Sequence, residues 1–349
     1  MRERLARLGI EYPAVSSVVT PVVLGPDEVH FRAGPWTGPQ ITVTDDDEDG
    51  ILADLVAALD GSRSVEALLS DFEDHQTAIV GLLAKLDGEN LLVDAGRTRD
   101  AQRGLNVVRD RLSPGEFRDR LAAAEAAVVA DGETGEYVAR NLVSAGIGRL
   151  AVSDLGDGDA VAFPDGDRVE RVADPERALD GVDAAVACTD AGDAAALLGL
   201  NERAHDRDAT VVFSQVVGYD GVVGPTVVPG ETACLDCYDE RVARVHSADR
   251  AVYEGFKAGL VERREGSVAS PFAQTVAGLT TVEMLRVLAG EPPVLANKVA
   301  TVDFLDFAFE PNPVLRVPNC ATCHAELSER LDWDRFADTT RPDRPGEGP

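Results

Sequence analysis

Lysine is nearly missing from this chain of 349 residues: it occurs only at Lys85, Lys257 and Lys298, and arginine supplies the rest of the 33 basic residues, set against 62 acidic ones. The resulting formal charge of −29 repels phosphate backbones and anionic lipid, which argues against nucleic acid and membrane surfaces as partners. Long apolar runs are missing as well. No stretch approaches the ~20 continuous apolar residues that a membrane span requires, and Met1-Arg2-Glu3-Arg4 is followed by no apolar signal core, so a cytoplasmic protein is expected. A surface so rich in carboxylates is in the halophilic style, which keeps a protein soluble in concentrated salt. The 44% hydrophobic content is enough to fill the cores of two or three domains.

Cysteine is scarce too, and its placement is informative. Four of the five cysteines form Cys234-Leu235-Asp236-Cys237 and Cys320-Ala321-Thr322-Cys323. Each C-x-x-C loop turns two thiolates toward one point, and four thiolates make a closed tetrahedral zinc site with no position open to water or substrate. Disulfides or redox pairs are the competing reading, and the lack of a secretion signal favours metal. His324 follows the second pair and reads as a bystander. Cys188 ends an apolar strand with no basic neighbour in sequence to lower its pKa, so it reads as a packing residue rather than a nucleophile.

Residues 1–98 read as a small winged-helix-like α+β unit. Strands are expected at 29–32 and 41–44, with a Gly- and Pro-rich turn between them, followed by helices at 49–59, from Ser64 as N-cap, and at 75–86, and by a strand at 91–93. A linker or helix fills 99–121. From 122 to 328 strand and helix alternate: strands at 126–130, 150–153, 184–188 and 210–213, helices at 135–144 and 194–205, a hairpin over 216–229, a long apolar helix at 271–288 and a β-rich run at 299–309. This is the pattern of an α/β, doubly wound, mostly parallel, Rossmann-like sheet. Residues 329–349 have little apolar content and read as a disordered tail.

The order of motifs over 122–325 resembles the ThiF/MoeB/HesA family, relatives of ubiquitin-activating enzymes. The carrying residues are Asp131-Gly132-Glu133-Thr134-Gly135 after the first strand, Asn141 through Leu150, Asp154, Cys188-Thr189-Asp190, and Gly230-Glu231-Thr232-Ala233 leading into the first cysteine pair. The resemblance places Gly132, Gly135, Asp154 (ribose) and Asp190 (metal) in a nucleotide site, and it implies a ThiF-type fold with a zinc knot. Where the family has its first loop glycine this chain has Ala130, and Asp131 and Glu133 stand where phosphate oxygens would lie. The family's Asn-x-x-Arg-Gln segment and its lysine have no counterpart between Asp154 and Asp183. The site is therefore expected to be degenerate, without catalytic residues and without ATP.

A degenerate ThiF-like domain behind a winged-helix unit is similar to the partner proteins of YcaO cyclodehydratases, whose amino-terminal module, similar to PqqD, recognises a leader peptide. That resemblance implies a non-catalytic scaffold for azoline formation in ribosomal peptide (bacteriocin) biosynthesis, with a precursor leader peptide and a separate YcaO enzyme as partners. Strand addition beside a helix would hold the peptide, with Ile41, Val43, Ile79, Leu82 and Leu83 lining the groove. A homodimer is compatible, since relatives of this fold commonly pair. Two other readings stay open: an ATP-dependent adenylating enzyme acting on a sulfur-carrier or ubiquitin-like protein, and a DNA-binding regulator. The second is disfavoured because Arg63 and Lys85 are the only basic residues of the helical half.

Overall fold

The computed structural model describes residues 10–16, 19–32, 40–45, 49–89, 91–95, 114–156, 160–190, 192–245, 250–262 and 268–323. Two compact units divide the chain, Met1–Arg120 and Leu121–Pro349. Most of the expected linker, and all of the expected tail at 329–349, lie outside the described residues.

The first unit contains β1 (Pro13–Val15), β2 (Thr20–Gly25), β3 (Glu28–Arg32), β4 (Gln40–Thr44), α1 (Leu52–Ala57), α2 (Val65–Asp71), α3 (Gln76–Gly88) and β5 (Leu92–Asp94). The expected hairpin is β3 and β4, antiparallel from Glu28 opposite Thr44 to Arg32 opposite Gln40. A third strand, β2, joins it on the far side of β3, while β1 pairs with β5. The Ser64 hydroxyl accepts the Ala67 amide at 3.2 Å and caps α2, a contact worth about 1 kcal/mol. Helical spacing on α3 places Ile79, Leu82, Leu83 and Leu86 on one interior face, where they share a core with Val29, Phe31 and Val43.

The second unit follows α4 (Pro114–Ala123), which runs across the division. Its elements are β6 (Glu125–Ala130), α5 (Glu133–Ala145), β7 (Arg149–Asp154), β8 (Val169–Arg171), β9 (Ala184–Thr189), α6 (Ala194–Asp206), β10 (Val211–Val217), β11 (Asp220–Val227), α7 (Leu235–Val245), α8 (Arg250–Glu262), α9 (Ser270–Leu288), β12 (Lys298–Asp303) and β13 (Ala308–Pro313). They form one eight-stranded sheet in the order β13-β12-β11-β10-β9-β6-β7-β8. The five strands from β10 to β8 are parallel and the rest antiparallel. The unbroken apolar runs of β6 and β9 are buried along almost their whole length, as strands covered on both faces must be. The outermost strand, β13, carries Pro311 and Pro313, which cannot donate to a further strand and so blunt that edge.

Helix α9 covers one face. Its Glu283 is 3% exposed, yet the carboxylate accepts the Thr226 hydroxyl at 2.8 Å and the amides of Leu295 at 2.7 Å and Val294 at 3.2 Å, so the buried charge is satisfied and fastens α9 to β11. Against α5, α9 offers Ser270 to the Tyr137 hydroxyl at 2.8 Å and Thr281 to the Asn141 amide at 3.3 Å. Among the described residues no helix is long and apolar enough to cross a membrane.

Candidate nucleotide site and metal centre

β6 has β9 on one side and β7 on the other, so the chain leaves this strand at the switch point where doubly wound sheets open a crevice at the strands' carboxyl ends. Register puts Ala130 level with Cys188 of β9 and with Asp154 of β7. Asp131, Asp154, Thr189 and Asp190 therefore gather at the mouth of three adjacent strands. At that mouth α5 begins, with its amino end and positive dipole facing the crevice.

The two loops at the mouth interlock. Asp131 accepts the Thr189 hydroxyl at 2.6 Å and the Asp190 amide at 2.8 Å, while Asp190 accepts both the amide of Thr134, at 2.8 Å, and its hydroxyl. Burial pushes the Asp190 carboxyl above its ordinary range; the bonds from Thr134 pull against that, and the charges of Asp131 and Glu133 add to it. Gly132 is needed because of this proximity: a Cβ there would lie 2.6 Å from the Cβ of Asp190. Gly135 is needed for another approach, since its Cβ would overlap that of Ala130 and stand 3.4 Å from the Cys188 sulfur. Asp154 accepts the Val161 amide at 2.7 Å, which closes the loop after β7. Cys188 lies beneath this floor, 1% exposed, and its thiol is pushed well up by burial, then by Asp190 and Asp131, which leaves it a packing group.

The four remaining cysteines meet at the other expected site. Their sulfurs all lie within 4.8 Å of one another and are buried. Cys234 stands 3.8 Å from Cys237 and 3.5 Å from Cys320, and Cys237 stands 3.5 Å from Cys323. A tetrahedral zinc ion with bonds of about 2.3 Å sets its sulfurs about 3.8 Å apart, so the cluster is of the size that can coordinate zinc. Hydrogen bonding within the cluster, from Cys234 first, holds the Cys237 thiol down, and the Val317 amide donates to that sulfur at 3.3 Å. No disulfide joins the cysteines.

The residues expected to line a peptide groove stand elsewhere than on an open face. Val43, Ile79, Leu82 and Leu83 are buried in the first unit's core, and Ile41 packs against it. Among the described residues, the large apolar side chains that this unit exposes are Tyr12 and the run Val22, Val23 and Leu24 of β2. Sequence reasoning missed Thr134 and Thr189, the hydroxyl partners of the mouth. The available signal was that each adjoins a carboxylate or glycine of the loop it serves.

The ThiF family model matches residues 158–323. No curated protein matches. Among solved structures, the heterocyclase TruD aligns over 90% of this chain at 17% identity with a TM-score of 0.64, and the chain spans only 43% of TruD's length. The microcin C7 biosynthetic enzyme MccB, in complex with N-formylated MccA, aligns over 89% of this chain and 99% of its own at 16% identity, TM-score 0.63. Escherichia coli MccB with ATP aligns over the same shares at 15% identity, TM-score 0.61. At these identities the likeness is one of fold, an α/β ThiF/MoeB-type sheet with a cysteine cluster.

Two linked expectations are corrected here. A degenerate, non-catalytic scaffold serving a separate YcaO cyclodehydratase, and a site closed to ATP, do not stand beside MccB, an enzyme of the same architecture from end to end whose structures include ATP, AMPCPP and MccA. The physical reason is orientation. Asp131, expected to face the phosphates, is turned into the interlock, with Thr189 and the Asp190 amide as its partners, and Glu133 accepts the Tyr137 hydroxyl at 3.3 Å.

Proposed function

We propose that the chain is an ATP-dependent enzyme that activates the terminal carboxyl group of a peptide or small carrier protein by adenylation, and that it modifies this partner directly. The observation that carries the reading is at Thr134. Its amide and hydroxyl already hold an anion, the Asp190 carboxylate, at the amino end of α5, so these donors form an anion-binding end with the geometry a phosphate oxygen would use.

In the reaction, an oxygen of the partner's carboxylate attacks the α-phosphorus of ATP. The bond from that phosphorus to the bridging oxygen breaks, and pyrophosphate departs with the electron pair; no proton need move. Thr134 and the amino end of α5 would take a phosphate oxygen, and Asp190 would then be the residue to hold a divalent cation. Such a cation supplies the positive charge that a loop without lysine lacks. Asp154, at the end of β7, is the acceptor for ribose hydroxyls. Gly135 keeps α5 close against β6, so that its dipole reaches the reacting phosphate. The same positioning, rather than acid–base chemistry, lowers the barrier.

The test is pyrophosphate exchange and AMP release by the full chain with ATP, magnesium and peptides that end in a free carboxyl group. Exchange that depends on the peptide supports the reading. Absence of both ATP binding by calorimetry and exchange at millimolar magnesium would remove it.

A further inference from the structure

The two cysteine loops are 86 residues apart in sequence, and one carboxylate stands between them. Asp236, inside the first C-x-x-C, accepts the Thr322 hydroxyl at 2.8 Å, and Thr322 is inside the second. The same oxygen, Oδ2, accepts the side-chain amide of Asn201 at 2.7 Å, while the Asn201 carbonyl oxygen accepts the Leu235 amide at 3.1 Å. Asn201 is fully buried on α6. A buried amide that spends its carbonyl on the chain beside Cys234, and its NH2 on Asp236, fixes both the backbone and the side chain of the first loop.

The rest of the surroundings lack this reach. The Val317 amide bonds Cys237, and Arg241 holds the carbonyls of Leu315 and Arg316, the latter at 3.0 Å; both act on the segment entering the second loop. Among the described residues, only the Asn201–Asp236–Thr322 chain ties each loop's interior to the other and both to a helix outside the site.

We propose that Asp236 is the positioning residue of the metal centre. It bridges the two loops through one oxygen, sets the four sulfurs in place before the ion arrives, and slows the ion's departure by holding the second loop when a thiolate lets go. Groups that orient metal ligands in this way change metal affinity by about 10- to 100-fold when removed. The inference is independent of adenylation, because it concerns how zinc is kept.

The experiment uses the full chain purified with zinc and follows zinc transfer to a chromogenic chelator. Asp236→Ala is expected to release zinc on the order of 10- to 100-fold faster than wild type. Asp236→Asn keeps an oxygen that can accept from both Asn201 and Thr322, and its release rate should stay within about threefold of wild type, well inside that 10- to 100-fold range. Thr322→Val, which cuts one arm only, should fall between. Cobalt-substituted protein should retain its thiolate-to-metal absorption band in all three variants, showing that the four ligands are intact while the rate differs. Release from Asp236→Ala within twofold of wild type would overturn the proposal. So would Asp236→Asn releasing as fast as Asp236→Ala, because charge and not bridging would then be the cause. If Asp236→Ala does not fold, Thr322→Val decides: unchanged release refutes the bridge, and faster release supports it.

Discussion

Gly135→Ala tests the most exacting contact in the candidate site. The added methyl would overlap the Cβ of Ala130, whereas carbon atoms in contact settle at about 3.5–4.0 Å. Either α5 retreats from β6 or β6 bends. Inserting a methylene into a packed interior costs about 1–3 kcal/mol, and an overlap with a backbone-fixed Cβ belongs at the upper end, because neither atom can rotate away. Alanine returns up to about 1 kcal/mol of helix propensity. The net loss is about 2 kcal/mol, or about 4–8 °C in melting temperature for a unit of this size. The functional loss should be larger. A shift of about 1 Å at the amino end of α5 would misplace its dipole and Thr134, and displacements of that size cost on the order of 10²-fold in rate. Scanning fluorimetry reads the first effect and pyrophosphate exchange the second. The double variant Gly135→Ala with Ala130→Gly moves the methyl from strand to helix and should recover most of both. A single variant that melts at or above the wild-type temperature, or a double variant no better than the single, would refute the packing argument.

Three further outcomes are expected. Cys320→Ser should lose its zinc, measured by atomic absorption, and with it the protease resistance of the segment around the second C-x-x-C loop, since a three-thiolate site holds the distant chain weakly; zinc retained at one ion per chain would contradict this. Burial holds the Asp190 carboxyl above its ordinary range, so that group's contribution to stability is present in acid and lost as pH rises through the folded value. Asp190→Asn should therefore melt higher than wild type at pH 7, with the difference shrinking toward pH 4, and a pH-independent difference would show that the charge is not the cause. Finally, ATP binding measured by calorimetry should vanish in EDTA and tighten as ionic strength rises from low values, because a chain of net charge −29 repels free triphosphate and salt screens that repulsion; binding that ignores magnesium would count against Asp190 as a cation partner.

The fold was legible where one signal dominated. The apolar runs at 126–130 and 184–188 could only be buried parallel strands, and β6 and β9 are those strands, each longer by a residue. Ser64 and the stripe through Ile79, Leu83 and Leu86 announced α2 and α3. What was missed had no period to read. β2 is Thr20-Pro21-Val22-Val23-Leu24-Gly25, five of its six residues exposed, without alternation and with a proline, and pairing to β3 alone makes it a strand. α7 begins inside the first cysteine pair, where Cys237 faces the metal centre, so the residues that would mark its buried face are occupied by another role.

The candidate site shows why composition can mislead about chemistry. Counting carboxylates near a phosphate loop gives a sign, yet electrostatic energy depends on distance and on what each charge already faces. Asp131 and Asp190 are two residues of one interlock: each accepts donors from the opposite loop, and Asp190 fills the amino end of α5. The sequence shows both carboxylates but not Thr134 and Thr189 as their partners, because β6 and β9 adjoin only through the crossover of a doubly wound sheet. A carboxylate held at a helix amino end is itself evidence that the end accepts anions. Under the proposed function, a phosphate that brings its own cation would replace it with the local charge balance conserved: the phosphate would take the donors and Asp190 the cation. On the proposed function an acidic loop is compatible with a nucleotide and incompatible with one stripped of its metal, so magnesium, rather than lysine, would separate a working site from a closed one.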